Sequence, residues 1–441
     1  MVKYKALMGV GERVWGRGRG RRPLAPPPKN PSQSSAPRIL IVAGEASGDD
    51  HAARLVAAIR EVAPQAEFFG VGGEALCAQG VRILTPASEL AVVGLLEVVS
   101  RLPAVWRALA AIGRTLKTAR PSLAILVDFP DFNFWVARLA KYYRVPVLYY
   151  ISPQVWAWRT YRVRTLARLT DRLVVIFPFE ADFYRERGVP VAYVGHPFRE
   201  TLPPLPDRRI FLTGHGLDPE RLTIALLPGS RESEIARHLP TMLQAAALVH
   251  RSIPLTQFLL PLASTAPVEL VEHMVGRFAD SWGEGTETVG AGLKPAPTAS
   301  TRAGPPLKII PGLAYQALGA AHLAVVASGT ATVEAALAGT PTVIVYRLSP
   351  LTFQVGRRLI RVEHVGMANL LAGERLFPEL IQEDFTPARL AQEVLSLIAD
   401  PERLAAIRRG LAQVIRRLGG PGASRRTARV ALELISPRTG K

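Results

Sequence analysis

The sequence predicts an α/β protein built from two successive halves, each an alternation of buried strands and helices, and three observations carry that reading. Short apolar, β-branched runs recur at residues 39–43, 122–127, 146–151, 173–177 and 191–194, and again at 223–227, 258–262, 323–327 and 342–346. Segments of helical period separate them, the pattern of strand–helix–strand units with parallel strands. A stretch holding Pro203, Pro204 and Pro206 divides the two series and suits a linker.

Residues 1–37 precede the first strand and differ from the rest. They hold eight Lys/Arg against the single acid Glu12 and no apolar period, so disorder is expected. The first strand then runs into Gly44, Glu45, Ala46, Ser47, Gly48 and Asp49, a turn before a helix. Its glycines let a ligand approach the backbone, where Glu45, Ser47 and Asp49 would meet sugar hydroxyls; the competing reading is a plain turn with an Asp cap. Residues 89–103 are dominated by Val92, Val93, Leu95, Leu96, Val98, Val99 and Leu102, with Trp106, Arg107, Arg114 and Lys117 close behind. That segment is either a buried helix or an apolar surface with basic neighbours, fit to enter a lipid interface.

The strand at 122–127 ends in Asp128, and ligands of open α/β sheets bind beyond such ends. Asp128, flanked by Phe129 and Phe132, is the candidate general base, the competing reading being a carboxylate that holds its own loop, while Asp131 suits a helix cap. The strand at 146–151 leads to Trp156, Trp158 and Arg159, which could stack on a sugar and hold a phosphate; the competing reading of the arginines is an exposed basic helix. His196, after the strand at 191–194, is either a ligand contact or a satisfied histidine at the boundary of the halves.

In the second half, Gly229, Ser230 and Arg231 form a turn before a helix, with backbone donors and a guanidinium suited to a diphosphate. Ser328, Gly329 and Thr330 make a like turn, with Glu334 one helical turn on, placed for a ribose hydroxyl. Both turns also read as ordinary capped helix starts. Asn369 is expected to line the same cleft, and residues 290–306 read as a low-complexity insert.

Composition narrows the partners. A formal net charge of +18 over 441 residues calls for an anionic partner: nucleic acid, anionic lipid or a phosphorylated substrate. With Cys77 alone, neither an intrachain disulfide nor a cysteine-based metal site can form. No apolar run reaches the length of a spanning helix, and no signal peptide is evident.

With these residues assembled, the chain resembles the lipid-A-disaccharide synthase family. The matching motifs are GEASGD from Gly44, GVGG from Gly70, ELAVVGLLEV from Glu89, VDFPDFN from Val127, ISPQVWAWR from Ile151, FPFE from Phe177, VGHPF from Val194, LLPGSRESEI from Leu226, ASGTATVEAALAGTP from Ala327 and NLLAG from Asn369. Each is weak alone; ten in family order are specific. Met367 and Ala368 stand where the family pattern has Leu-Pro, and residues 290–306 are extra.

The resemblance implies a GT-B fold: two Rossmann-like domains facing across a cleft, with the C-terminal helix returning to the N-terminal domain. Expected bounds are 38–202 for the first domain, 208–400 for the second, and 401–441 for helices packing back on the first. It implies inverting, metal-free transfer of 2,3-diacylglucosamine from UDP-2,3-diacylglucosamine to 2,3-diacylglucosamine 1-phosphate, without a cofactor. Asp128 and Glu45 would be catalytic. Gly229, Ser230, Arg231, Ser328, Gly329, Thr330, Glu334 and Asn369 would bind UDP, and Ser47, Asp131, Trp156, Arg159 and His196 the acceptor sugar. The apolar residues 92–106 would meet acyl chains and anionic membrane lipids on the cytosolic face of the inner membrane of a Gram-negative bacterium. No nucleic acid is expected as partner, and a homo-oligomer is compatible with this scheme.

Overall fold

A computed structural model describes residues 36–90, 102–158, 160–263, 266–284, 305–348 and 364–436, and Pro37–Lys441 form one compact unit. The first half holds seven strands: β1 (Arg38–Ala43), β2 (Glu67–Gly72), β3 (Arg82–Pro86), β4 (Leu123–Val127), β5 (Val147–Tyr150), β6 (Arg172–Val175) and β7 (Val191–Tyr193). The second holds six: β8 (Leu222–Leu227), β9 (Thr256–Leu262), β10 (Leu307–Pro311), β11 (Leu323–Ala327), β12 (Thr342–Tyr346) and β13 (Glu379–Ile381).

The sheet orders are β3-β2-β1-β4-β5-β6-β7 and β10-β9-β8-β11-β12-β13, parallel in every pair. Chain direction across the sheet reverses between β1 and β4, and between β8 and β11, so each half has a topological switch point at the carboxyl ends of those two strands, the place where open α/β sheets bind ligands. Central strands are apolar on both faces because helices cover both: Ile39 and Ile41 enter one core layer, Leu40 and Val42 the other.

The linker reaches the Arg208–Gly214 helix, where the Asp207 carboxylate accepts from Ile210 N at 3.1 Å as its cap. At the end of the chain, the Ala423–Ile435 helix crosses back and packs on the Ala46–Val62 helix of the first half. Its contact face is small, with Ala423, Ala428 and Ala431 buried, which lets the two helices approach closely. The Pro401–Arg417 helix does not cross. It packs on the Ala331–Ala338, Met367–Ala372 and Pro387–Ala399 helices, so the expectation that everything after residue 400 returns to the first half holds only for the last helix.

The crossing is stitched to the segment after β7. Tyr193 Oη donates to Arg417 O at 2.7 Å, His196 N to Leu418 O at 3.0 Å, and Arg426 Nε to Val194 O at 2.7 Å. The Glu200 carboxylate accepts from Gly422 N at 2.9 Å and Ser424 N at 3.0 Å. Gly195 sits at φ +82, with Arg426 Nη2 only 2.9 Å from where a Cβ would stand.

Candidate active site

The corner after β4 is the most constrained point of the first crevice. Asp128 and Phe129 both take left-handed conformations, φ +45 and +47, before Pro130 opens the Pro130–Tyr142 helix. The Phe129 ring lies flat against Gly44, where a Cβ would come within 2.1 Å of it, so the GEASGD turn needs a glycine there. Asp128 is half-buried. Burial, and then the charge of Glu45, push its carboxyl up to about 6, against the opposing pull of the Phe129 N–H and of Arg231. Arg231 belongs to the second half, so a charge from that half acts on Asp128.

Glu45 and Ser47 are exposed at the start of the Ala46–Val62 helix, and the Glu45 charge acts on Asp128. Asp49 turns the other way. It is buried, and its carboxylate accepts from Gly73 N at 2.7 Å and Ala75 N at 2.9 Å, capping the Glu74–Ala78 helix; it does not meet a sugar. Asp131 is exposed and pairs with Arg162 at 3.2 Å, with no side-chain cap on its helix.

Trp156 and His196 differ from the sugar contacts expected of them. Trp156 is buried, its Nε1 donates to Glu180 Oε1 at 3.0 Å, and Phe179 meets its ring edge-on. It is held in the core by these contacts and is too buried to present its ring as a stacking platform for a sugar. His196 is buried between Phe177 and Phe198, and its Nδ1 accepts from Phe198 N at 3.2 Å. Burial, with His51 nearby, holds it down at about 3, so it stands neutral in the seam with the C-terminal crossing. Arg159 lies outside the described residues, as do Val92, Val93, Leu95, Leu96, Val98, Val99 and residues 285–304. Leu102 and Trp106 are described: they lie in the Leu102–Ala119 helix, with Trp106 60% exposed.

In the second half, the Gly229–Arg231 turn is already braced. Glu234 accepts from Ser230 N at 3.2 Å and Arg231 N at 3.4 Å, and lies 3.4 Å from the Arg231 guanidinium. The backbone donors expected to be free are held by this internal carboxylate. His238, fully buried, donates from Nδ1 to Pro228 O at 2.8 Å and accepts at Nε2 from Arg347 N at 3.0 Å, tying this turn to the end of β12. Gly329 and Thr330 are exposed, and Glu334 is half-buried with its carboxyl raised by burial to about 7. The Ser328 hydroxyl donates to Val365 O at 2.9 Å.

Asn369 is not free to bind a ligand through its side chain. It is buried, accepts from Phe377 N at 2.7 Å and donates to Phe377 O at 2.9 Å and Glu379 Oε1 at 2.8 Å. Its amide closes the loop from Asn369 to Phe377, and Glu379 holds the segment before the Met367–Ala372 helix through Val365 N and Gly366 N. Among the described residues no cluster of three or more His, Cys, Asp or Glu is placed for a metal ion. Glu180, Glu234, His238, Tyr149 and Asn133 were not singled out by sequence reasoning. For Glu180 and Glu234 the FPFE and GSRESE strings carried a usable signal, a carboxylate at the third position of a helix.

A family model described as Lipid-A-disaccharide synthetase matches residues 39–280 and 305–434. A lipid-A-disaccharide synthase of Geobacter metallireducens is 44% identical over 91% of this chain and 98% of its own, and one of Myxococcus xanthus is 44% identical over 92% and 99%. Solved structures share the fold at low identity. A UDP co-structure of S. aureus MnaA has a TM-score of 0.58 at 12% identity, covering 92% of this chain and 99% of that one. The kitacinnamycin glycotransferase has a TM-score of 0.54 at 16% identity, covering 91% and 100%. Two parallel α/β halves of GT-B type, with the family model spanning nearly all of them, show that the chain is a glycosyltransferase and belongs to the lipid-A-disaccharide synthetase family.

Proposed function

We propose that the chain transfers 2,3-diacylglucosamine from its UDP conjugate to 2,3-diacylglucosamine 1-phosphate with inversion. The acceptor 6-hydroxyl attacks the anomeric carbon as Asp128 takes its proton. The glycosidic C–O bond to the diphosphate breaks, and UDP leaves with the electron pair. The developing charge is met by Arg231 and by the backbone N–H groups of the Gly229–Arg231 and Gly329–Thr330 turns, once the diphosphate displaces Glu234. Glu334 sits where a ribose hydroxyl would reach it, and Glu45 and Ser47 are on the acceptor side. No step calls for a metal.

The observation that carries this reading is Asp128 itself: a half-buried carboxyl with raised proton affinity, at a strand end, within electrostatic reach of Arg231 from the opposite half. Asp128→Asn should lower turnover by about 10²–10⁴-fold, the range for losing a general base, with UDP affinity near wild type by calorimetry. A fully active Asp128→Asn enzyme would remove Asp128 as the base.

We further propose that the protein works at an anionic membrane surface, on the cytosolic face of the inner membrane. Among the described residues no helix is long and apolar enough to cross a membrane. Exposed Trp106 in an amphipathic helix with Arg107, Arg114 and Lys117 supports a peripheral contact.

A further inference from the structure

We infer that Tyr149 and Asn133 are positioning residues for the transfer reaction, holding the Asp128 backbone in its left-handed conformation so that the carboxyl is aimed into the crevice. This rests on the reading of Asp128 as the base.

Two consecutive non-glycine residues at positive φ persist only where neighbours over-determine them. Here the neighbours are identifiable. The Asp128 carbonyl accepts from Tyr149 Oη at 2.6 Å and from Asn133 Nδ2 at 2.7 Å. The same Nδ2 reaches Val127 O at 3.2 Å, so one amide group grips the last strand residue and the first left-handed one. Asp128 N continues the ladder to Tyr150 O at 3.0 Å, and Asn133 N donates to Phe129 O at 3.0 Å.

Both side chains are fully buried, and neither reaches the crevice to touch a substrate. Asn133 leaves its own Oδ1 buried without a partner among the described residues. An unpaired buried acceptor is unfavourable, yet the amide keeps this orientation, because turning it over would take both carbonyls off their donor. The sheet has no need of this bond: β4 is already paired on both sides, to β1 and β5. What the two donors fix is the direction of the chain immediately beyond the strand.

Tyr149→Phe removes one oxygen from a packed ring and gives the cleanest test. UDP affinity by calorimetry should stay within twofold of wild type, which reports an intact fold. With saturating donor and acceptor, kcat should fall about tenfold to hundredfold, as for a reacting group displaced by a fraction of an ångström to an ångström, while both KM values stay within twofold. The acid limb of the kcat profile should move, since the carboxyl changes surroundings. In the Asp128→Asn background, Tyr149→Phe should leave the residual rate unchanged, because no base remains to be aimed. Asn133→Ser, which shortens the donor, should give the same pattern if Tyr149→Phe proves insoluble.

A folded Tyr149→Phe enzyme with kcat within twofold of wild type would overturn the inference. So would losses that multiply in the double variant, which mark a general structural role. Full activity of Asp128→Asn alone would overturn the base assignment and, separately, leave the lock with nothing to aim.

Discussion

At the scale of single residues, the charge states around the crevice set the pH behaviour. Asp128 must be ionised to accept a proton, and its carboxyl stands at about 6, so kcat/KM should fall tenfold per unit as pH drops below about 6. Glu180 gives a stability prediction. It is buried, and burial raises it from 4.5 to about 7 against its bonds from Trp156 and Phe177. The folded state therefore holds this proton more tightly than the unfolded one. Its contribution is complete below about pH 4.5 and is lost as pH rises through about 7, amounting to about 2 kcal/mol between pH 5 and 8. Urea unfolding of Glu180→Gln should show that dependence flattened; an unchanged pH slope would contradict it. Residue by residue, the sequence was readable for placement at a strand end, as for Asp128 directly after β4. It was not readable for Trp156, His196, Asp49 and Asn369. Their partners are Glu180, Phe177 and Phe198, the Gly73–Ala75 backbone, and Phe377 with Glu379, and only folding brings each to its contact.

At the scale of elements, inner strands were legible because parallel strands buried on both faces are continuous apolar runs, whereas the edge strands β3 and β10, only partly buried, were not. The short β13 was not, since Glu379–Ile381 has three residues and carries a loop-holding carboxylate. Nor was the division of labour between the last two helices. Both are amphipathic and basic, and only the small buried face of Ala423–Ile435 fits against the Ala46–Val62 helix. The seam gives a prediction of its own. Gly195→Ala adds a Cβ where Arg426 lies 2.9 Å away, at φ +82. The left-handed conformation alone costs about 1–2 kcal/mol, so in a unit of this size thermal unfolding should drop by about one to two degrees. An unchanged midpoint would mean that the seam yields freely.

At the scale of the whole molecule, the net charge of +18 is distributed over tail, helices and crevice, and the membrane reading does not depend on the tail. The family match begins at residue 39. Removing residues 1–37 should leave turnover unchanged and retain binding to vesicles containing anionic lipid, whereas Trp106→Ser should weaken that binding several-fold in a cosedimentation assay. Loss of binding with the tail, and none with Trp106, would reverse the assignment. Two halves were legible as two strand–helix series split by prolines, and the GT-B plan with its cleft only through the order of ten motifs, because no single turn distinguishes a phosphate cradle from a capped helix.

The polypeptide passes between its halves twice, once outward through the exposed residues 203–207 and once homeward through residues 418–422, and the two passages are bonded to one another through Arg199 and Glu200. A protease that nicks the outward passage would therefore not release two fragments. The homeward passage and the last helix, docked on the first half, would hold the pieces together without a covalent link.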